Sequence, residues 1–199
     1  MKAGFSLKLF IILLISLLNP LPSRAYEMLG MISYNLAEVN PKPAAFTNSS
    51  NGIGYTFLGR MDLGPGLLES GFQFILTSIT TQQTFGELKA TGSYWILPLM
   101  YRYIFLPPFF SIAVGADYAV VGTNSLSVSG TQVNGLTSGY RSHFGAQISL
   151  EANQDLGENL SAVFDLRYRG GLANAISYGN SGSKYNFYII GLGIQKHLE

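Results

Sequence analysis

Beyond residue 25 the chain alternates apolar and polar residues, and no stretch keeps apolar residues at helical spacing for more than about one turn. The clearest run is Phe144-Gly-Ala146-Gln-Ile148-Ser-Leu150-Glu-Ala152-Asn, which places Phe, Ala, Ile, Leu and Ala on one face and Gly, Gln, Ser, Glu and Asn on the other. Leu160-Ser-Ala162-Val-Phe164-Asp-Leu166-Arg-Tyr168-Arg repeats the pattern, as does Ile53-Gly-Tyr55-Thr-Phe57-Leu-Gly59-Arg-Met61-Asp-Leu63. Eight such segments are predicted, near 28–39, 52–63, 67–81, 92–106, 108–121, 138–154, 159–171 and 185–198. Each reaches the roughly 9–11 residues that a tilted membrane strand requires.

The connections alternate in length. Short turns fall at Leu63-Gly-Pro-Gly66, Leu106-Pro-Pro108 and Asp155-Leu-Gly-Glu-Asn159. Longer polar links run from Asn40 to Asn51, Thr81 to Thr91, Gly122 to Thr137 and Leu172 to Lys184. An antiparallel up-and-down meander with an even strand number produces this alternation, with tight turns and both termini in the periplasm and long loops outside. The link from Gly122 to Thr137 itself alternates around Gly130-Thr131, which predicts a hairpin continuing above the membrane.

Composition sharpens the picture. Only 12% of residues are charged, about half the usual share for a soluble domain, while 47% are apolar. Cysteine is absent, which removes disulfides, thiolate metal sites and cysteine nucleophiles. Met1 to Ala25 opens with Lys2 and Lys8, runs through Leu9-Phe-Ile-Ile-Leu-Leu-Ile-Ser-Leu-Leu18 and ends Ser23-Arg-Ala25. This reads as a secretory signal peptide over 1–25, too short in its apolar part to span roughly 30 Å as a helix. The remaining 26–199 form one domain, mildly acidic and without the basic excess of a nucleic-acid binder.

The phase of the charges chooses between two barrels. With the apolar face outward, the inward face carries Arg60, Arg102, Arg141, Arg167 and Arg169 against Asp62, Glu69, Asp117, Glu151 and Asp165, with His143 in the same phase. A soluble lipocalin-like barrel would need this face as its solvated exterior, and it holds no Lys and many small residues. A narrow lumen suits it better, since small side chains fit there and opposite charges neutralise each other. Only Glu38 and Lys196 share the outward phase, each near a strand end. Tyr34, Tyr55, Trp95, Tyr118, Tyr140, Tyr168 and Tyr188 fall toward the outer ends, and Tyr101, Tyr103, Phe105 and Phe110 toward the periplasmic ends, as two aromatic girdles. The fold class expected is therefore all-β, an eight-stranded antiparallel up-and-down transmembrane β-barrel.

At these residues the chain resembles the small Gram-negative outer-membrane β-barrel proteins, the porin-family and OmpX-like barrel domains. Tyr94-Trp-Ile-Leu-Pro-Leu-Met-Tyr-Arg-Tyr103 is similar to the strand with an IPL-x-yRY core in such domains, and Phe109-Phe-Ser-Ile-Ala-Val-Gly-Ala116 to the strand that follows. Asp165-Leu-Arg-Tyr-Arg-Gly-Gly-Leu-Ala-Asn174 resembles their penultimate strand, and Tyr188-Ile-Ile-Gly-Leu-Gly-Ile194 their last. Where such chains usually end in an aromatic residue, this one reads Lys196-His-Leu-Glu199. The resemblance implies assembly by the outer-membrane insertion machinery and carries over no catalytic residue, metal or cofactor.

Candidate chemistry is sparse. A lipid-modifying enzyme would pair a serine nucleophile with a base, and the histidines are His143 and His197. His143 is expected as a satisfied lumen or rim residue on the strand that also holds Ser149, and His197 as an interfacial residue without a catalytic part. Strand directions gather Asp117, Arg141, His143, Arg167 and Arg169 in the outer half and Arg60, Asp62, Glu69, Arg102 and Glu151 in the inner half. They are expected to act as a salt-bridged plug, or alternatively as an anion-attracting vestibule around Arg141, Arg167 and Arg169. The function expected is that of a monomeric outer-membrane barrel with a structural or surface-interaction role. It would contact membrane lipid and a surface partner through its loops; the alternative is a narrow passive channel.

Overall fold

In the computed structural model, residues 26–40, 50–83, 86–107, 109–128, 131–132, 141–173, 176–178 and 181–198 are described. They form β1 (Tyr26–Asn40), β2 (Ser50–Leu63), β3 (Gly66–Gln83), β4 (Gly86–Leu106), β5 (Phe110–Val128), β6 (Thr131–Gln132), β7 (His143–Gly157), β8 (Leu160–Gly171), β9 (Ile176–Tyr178) and β10 (Ser181–Leu198). Every pairing is antiparallel. The order β1-β2-β3-β4-β5-β7-β8-β10 closes through β1 against β10, giving an eight-stranded barrel without a free edge along its wall. Closure matters in a bilayer, where an unpaired backbone group finds no water to bond. The signal peptide expected over 1–25 and Tyr140 lie outside the described residues.

Hairpin chemistry fixes the tight end. Gly64 takes φ 63° ahead of Pro65, a positive-then-negative sequence suited to a type II′ turn between the paired Leu63 and Gly66. Glu158 and Asn159 both take positive φ, 52° and 62°, as the I′ turn between Gly157 and Leu160 requires. At the other end the strands outrun the sequence expectation. Within the span 81–91, read as a loop, β3 reaches Gln83 and β4 starts at Gly86, the two paired across. Low hydrophobicity there does not signal a break in backbone pairing. β6 pairs Ser127 with Gln132 and Val128 with Thr131, the hairpin expected around Gly130. β9 adds a second hairpin, against Ser181–Ser183, inside the expected 172–184 loop. Conversely, β7 starts at His143 rather than near 138.

The register sets the tilt. Following paired residues once round the inner face leads from Glu27 through Arg60, Glu69, Met100, Gly115, Gln147, Arg169 and Phe187 to Ala37, ten residues further along β1. That stagger tilts the strands by roughly 35–45° to the axis, as closing eight of them demands. Alternation then divides the wall: β7 reads buried and exposed residue by residue from His143 to Glu151. Met28, Ile32, Phe57, Val114, Phe144, Ile148, Leu166, Ile190 and Leu192 point out, and Arg60, Glu69, Arg102, Asp165 and Arg169 point in. A soluble protein would reverse this arrangement.

Candidate functional site: the filled lumen

The lower half of the lumen, toward the tight turns, is ionic. Glu69 sits at the centre and takes Arg60 Nε at 2.8 Å, Arg102 Nη2 at 2.9 Å and Arg167 Nη2 at 3.3 Å. Glu151 pairs with Arg60 and with Arg102, the latter at 3.4 Å. Asp165 holds Arg167 Nε at 3.0 Å and accepts the Ser149 hydroxyl. Three guanidiniums thus face three carboxylates, all buried. Hydroxyl and amide oxygens take remaining N–H groups: Arg102 donates to Ser111 Oγ at 2.9 Å and Ser149 Oγ at 3.2 Å, and Arg60 to Gln195 Oε1. Buried charge is tolerated only in this fully bonded form, because each ion has lost several kcal/mol of hydration. Arg fits better than Lys, since its planar fork serves two or three acceptors at once.

A second group lies higher. Arg169 grips Asp117, with Nη2 at 2.6 Å and Nε at 3.0 Å from Oδ1, and its Nη1 meets His143 Nε2 at 2.9 Å. An arginine only donates, so Nε2 accepts and Nδ1–H donates to the Arg141 carbonyl at 3.0 Å. Gly145 makes room for this pair: a Cβ there would stand 2.7 Å from Arg169 Nη2 and 2.9 Å from Asp117 Oδ1. Gln147 joins the two groups. Its Nε2 donates to Asp117 Oδ2 at 3.0 Å and Gln73 Oε1 at 3.1 Å, and its Oε1 accepts from Arg167 at 3.2 Å.

Above this lies an apolar cap. Tyr94, Tyr185 and Phe187 have no exposed surface and pack with Ile75, Ile96, Ala119 and Ile189. Tyr185 and Phe187 stack at 5.5 Å, Tyr94 meets them edge-on at 6.0 and 6.2 Å, and its ring stands perpendicular to His143 at 5.5 Å. The Arg169 guanidinium lies 5.7 Å from the Phe187 ring centre, linking cap to ion pair.

Of the predicted lumen residues, Arg60, Glu69, Arg102, Asp117, His143, Glu151, Asp165, Arg167 and Arg169 are buried together. Asp62 and Arg141 are not: both are exposed, because each lies where the wall ends and the inward phase opens to water. Arg167, assigned to the outer half, reaches down to Glu69 and Asp165 instead, since the tilted register brings β8 beside β3 across a narrow lumen. A three-arginine vestibule is therefore not what the chain builds: Arg167 and Arg169 hold carboxylates and Arg141 stands apart. His143 and Ser149 share no bond, each being engaged elsewhere. His197 ties the closing seam, meeting Glu27 of β1 at 3.1 Å and Ser161 of β8 at 3.4 Å. The sequence reading missed Gln73, Gln147, Gln195 and the cap. The signal for the cap was local, since Ser93-Tyr-Trp-Ile-Leu97 and Tyr185-Asn-Phe-Tyr-Ile-Ile190 are apolar on both faces.

Outside, Tyr34, Tyr55, Trp95, Tyr118, Tyr168 and Tyr188 are exposed in the half toward the long links. Tyr103, Phe105 and Phe110 are exposed toward the tight turns, where Tyr101 is half-buried and donates to the Leu63 carbonyl at 3.3 Å. Beyond the expected girdle residues, Phe72 and Phe74 flank Trp95 at 6.1 and 4.7 Å, and Phe144 lies 4.8 Å from Tyr118.

An all-antiparallel closed barrel with an apolar exterior and a charged interior defines a class, the eight-stranded transmembrane β-barrels. Two solved structures share the fold. The outer membrane protein OprG from Pseudomonas aeruginosa matches with TM-score 0.57 and 11% identity, over 89% of this chain and 97% of that one. Ail, the attachment invasion locus protein of Yersinia pestis, solved with the heparin analogue sucrose octasulfate, matches with TM-score 0.52 and 14% identity, over 85% and 98%. No protein-family model and no curated protein matches the chain.

Proposed function

We propose that this protein is a monomeric outer-membrane barrel with a structural or surface-interaction role, its lumen sealed and its long-link end displayed outside. The observation that carries the reading is the double filling of the lumen, an ionic lattice below and stacked rings above. Eight strands leave room for little beyond side chains. Both termini then lie in the periplasm, because β1 begins and β10 ends beside the tight turns. Insertion by the outer-membrane assembly machinery follows from the same placement. A non-catalytic role is supported by the hydrogen bonds that engage both nitrogens of His143.

Planar-bilayer recording tests the seal: purified protein should give no steady conductance, and open-channel steps in the wild type would overturn the sealed reading in favour of a narrow passive channel. Fractionation tests the location. A heat-modifiable, carbonate-resistant outer-membrane product is expected, and a carbonate-soluble periplasmic one would sink it.

A further inference from the structure

His143 is buried in the lumen, yet it opens β7, and Arg141 and Ser142 before it are exposed. Its ring is held between two kinds of neighbour. On one side Nε2 accepts from Arg169 Nη1 at 2.9 Å, and that guanidinium grips Asp117 and leans on the Phe187 ring. On the other the Tyr94 ring stands perpendicular at 5.5 Å and in turn meets Tyr185 and Phe187. With Nδ1–H given to the Arg141 carbonyl, this arrangement needs a neutral ring, because a second proton would sit on Nε2, where an arginine N–H already points. Among the described residues the charged or titratable side chains around the ring are Arg169 on β8, Asp117 on β5, Tyr94 on β4 and, past Tyr94, Tyr185 on β10. Asp117 is already engaged: Arg169 Nε lies 3.0 and 3.1 Å from its two oxygens, and Gln147 Nε2 donates to Oδ2 at 3.0 Å.

We propose that His143 is an acid-sensitive pin of the cap: a proton on Nε2 breaks its bond to Arg169, drives the ring toward the exposed start of β7 and loosens Tyr94, Tyr185 and Phe187, while the ionic lattice below stays shut. The proposal rests on the sealed-lumen reading and adds a condition under which the upper closure gives way. Two buried cations beside one carboxylate leave a charge without a partner, and that is costly where water is excluded. Histidine is the side chain whose charge changes on mild acidification. The bonded form is the neutral one, so the cap is firm at neutral pH and loses its pin as pH falls.

Planar-bilayer recording of Glu69→Ala, where the lower lattice is breached, reads the cap by itself. This variant should be silent at about pH 7.5 and conduct at about pH 4.5, the open fraction rising by up to about tenfold per pH unit, the slope of one proton. Glu69→Ala/His143→Gln should stay silent at both, because a glutamine oxygen accepts from Arg169 and does not titrate. In the wild type the methyl NMR signals of Ile75 and Ile96, which pack with Tyr94 in the cap, should titrate with a one-proton slope, and should cease to do so in His143→Gln. Wild-type methyl signals that stay fixed, or acid conduction that survives His143→Gln, would overturn the proposal alone. So would a Glu69→Ala variant silent in acid while Glu69→Ala/Phe187→Ala conducts. Conduction by the wild type at neutral pH would overturn the sealed-lumen reading and the proposal together.

Discussion

The two halves of the lumen are filled by different physics on the same wall. Below, Arg60, Arg102 and Arg167 meet Glu69, Glu151 and Asp165 in a set of directional, charge-assisted bonds. Above, Tyr94, Tyr185 and Phe187 pack by shape and apolar contact. The lower lattice is all-or-none, because removing one carboxylate strands guanidiniums that water cannot easily reach. The cap is graded, since a lost ring leaves a void that neighbours partly fill. A barrel with only the first would be rigid but hydrated wherever a bond opened, and one with only the second would lack a fixed register.

The largest effect should come from the lattice. Glu69→Ala takes a carboxylate partner from three guanidiniums at once and is expected to cost about 5 kcal/mol, the top of the range for breaking a buried ion pair, read from the urea midpoint of refolding into detergent or lipid. If the midpoint moves no more than for a surface substitution, the lattice does not hold the fold. Phe187→Ala should cost about 3 kcal/mol through the void it leaves, with Tyr185 and Arg169 losing a partner. The halves should also be redundant as seals. Glu69→Ala or Phe187→Ala alone should remain non-conducting in planar bilayers and the double variant should conduct; conduction by either single variant would show that one tier alone closes the passage. Arg169→Lys keeps the charge but loses the fork on Asp117, and a drop of about 1–2 kcal/mol is expected in the same refolding assay. Glu158→Gly relieves a positive φ and should stabilise by about 0.5–1 kcal/mol, the smallest effect and a control far from either tier.

The lower half was more legible in the chain than the upper. A charged residue in the middle of an alternating strand has one tolerable side in a bilayer, so Arg60, Glu69, Arg102, Asp165 and Arg169 announce their direction. Asp62 and Arg141 have the same phase but sit where the wall ends, and phase alone does not say where that is. The cap was harder to read for the opposite reason: Tyr94, Tyr185 and Phe187 are apolar residues on the polar face, a local signal that looks like noise until the strands are curled. Alternation put Gln147 on the inner face but gave no sign that this uncharged residue bridges two ion pairs.

Period-two alternation by itself determined that the chain forms strands, that they close, and which side chains share the inner wall, because backbone pairing and the lipid exterior leave one solution. Which charges meet was decided only by the tertiary structure. The contact between Arg60 and Glu151 spans 91 residues and that between Arg167 and Glu69 spans 98, so both depend on register and stagger accumulated round the whole barrel. A one-residue slip in any hairpin would turn its side chains to the other face, and no local pattern records that sum.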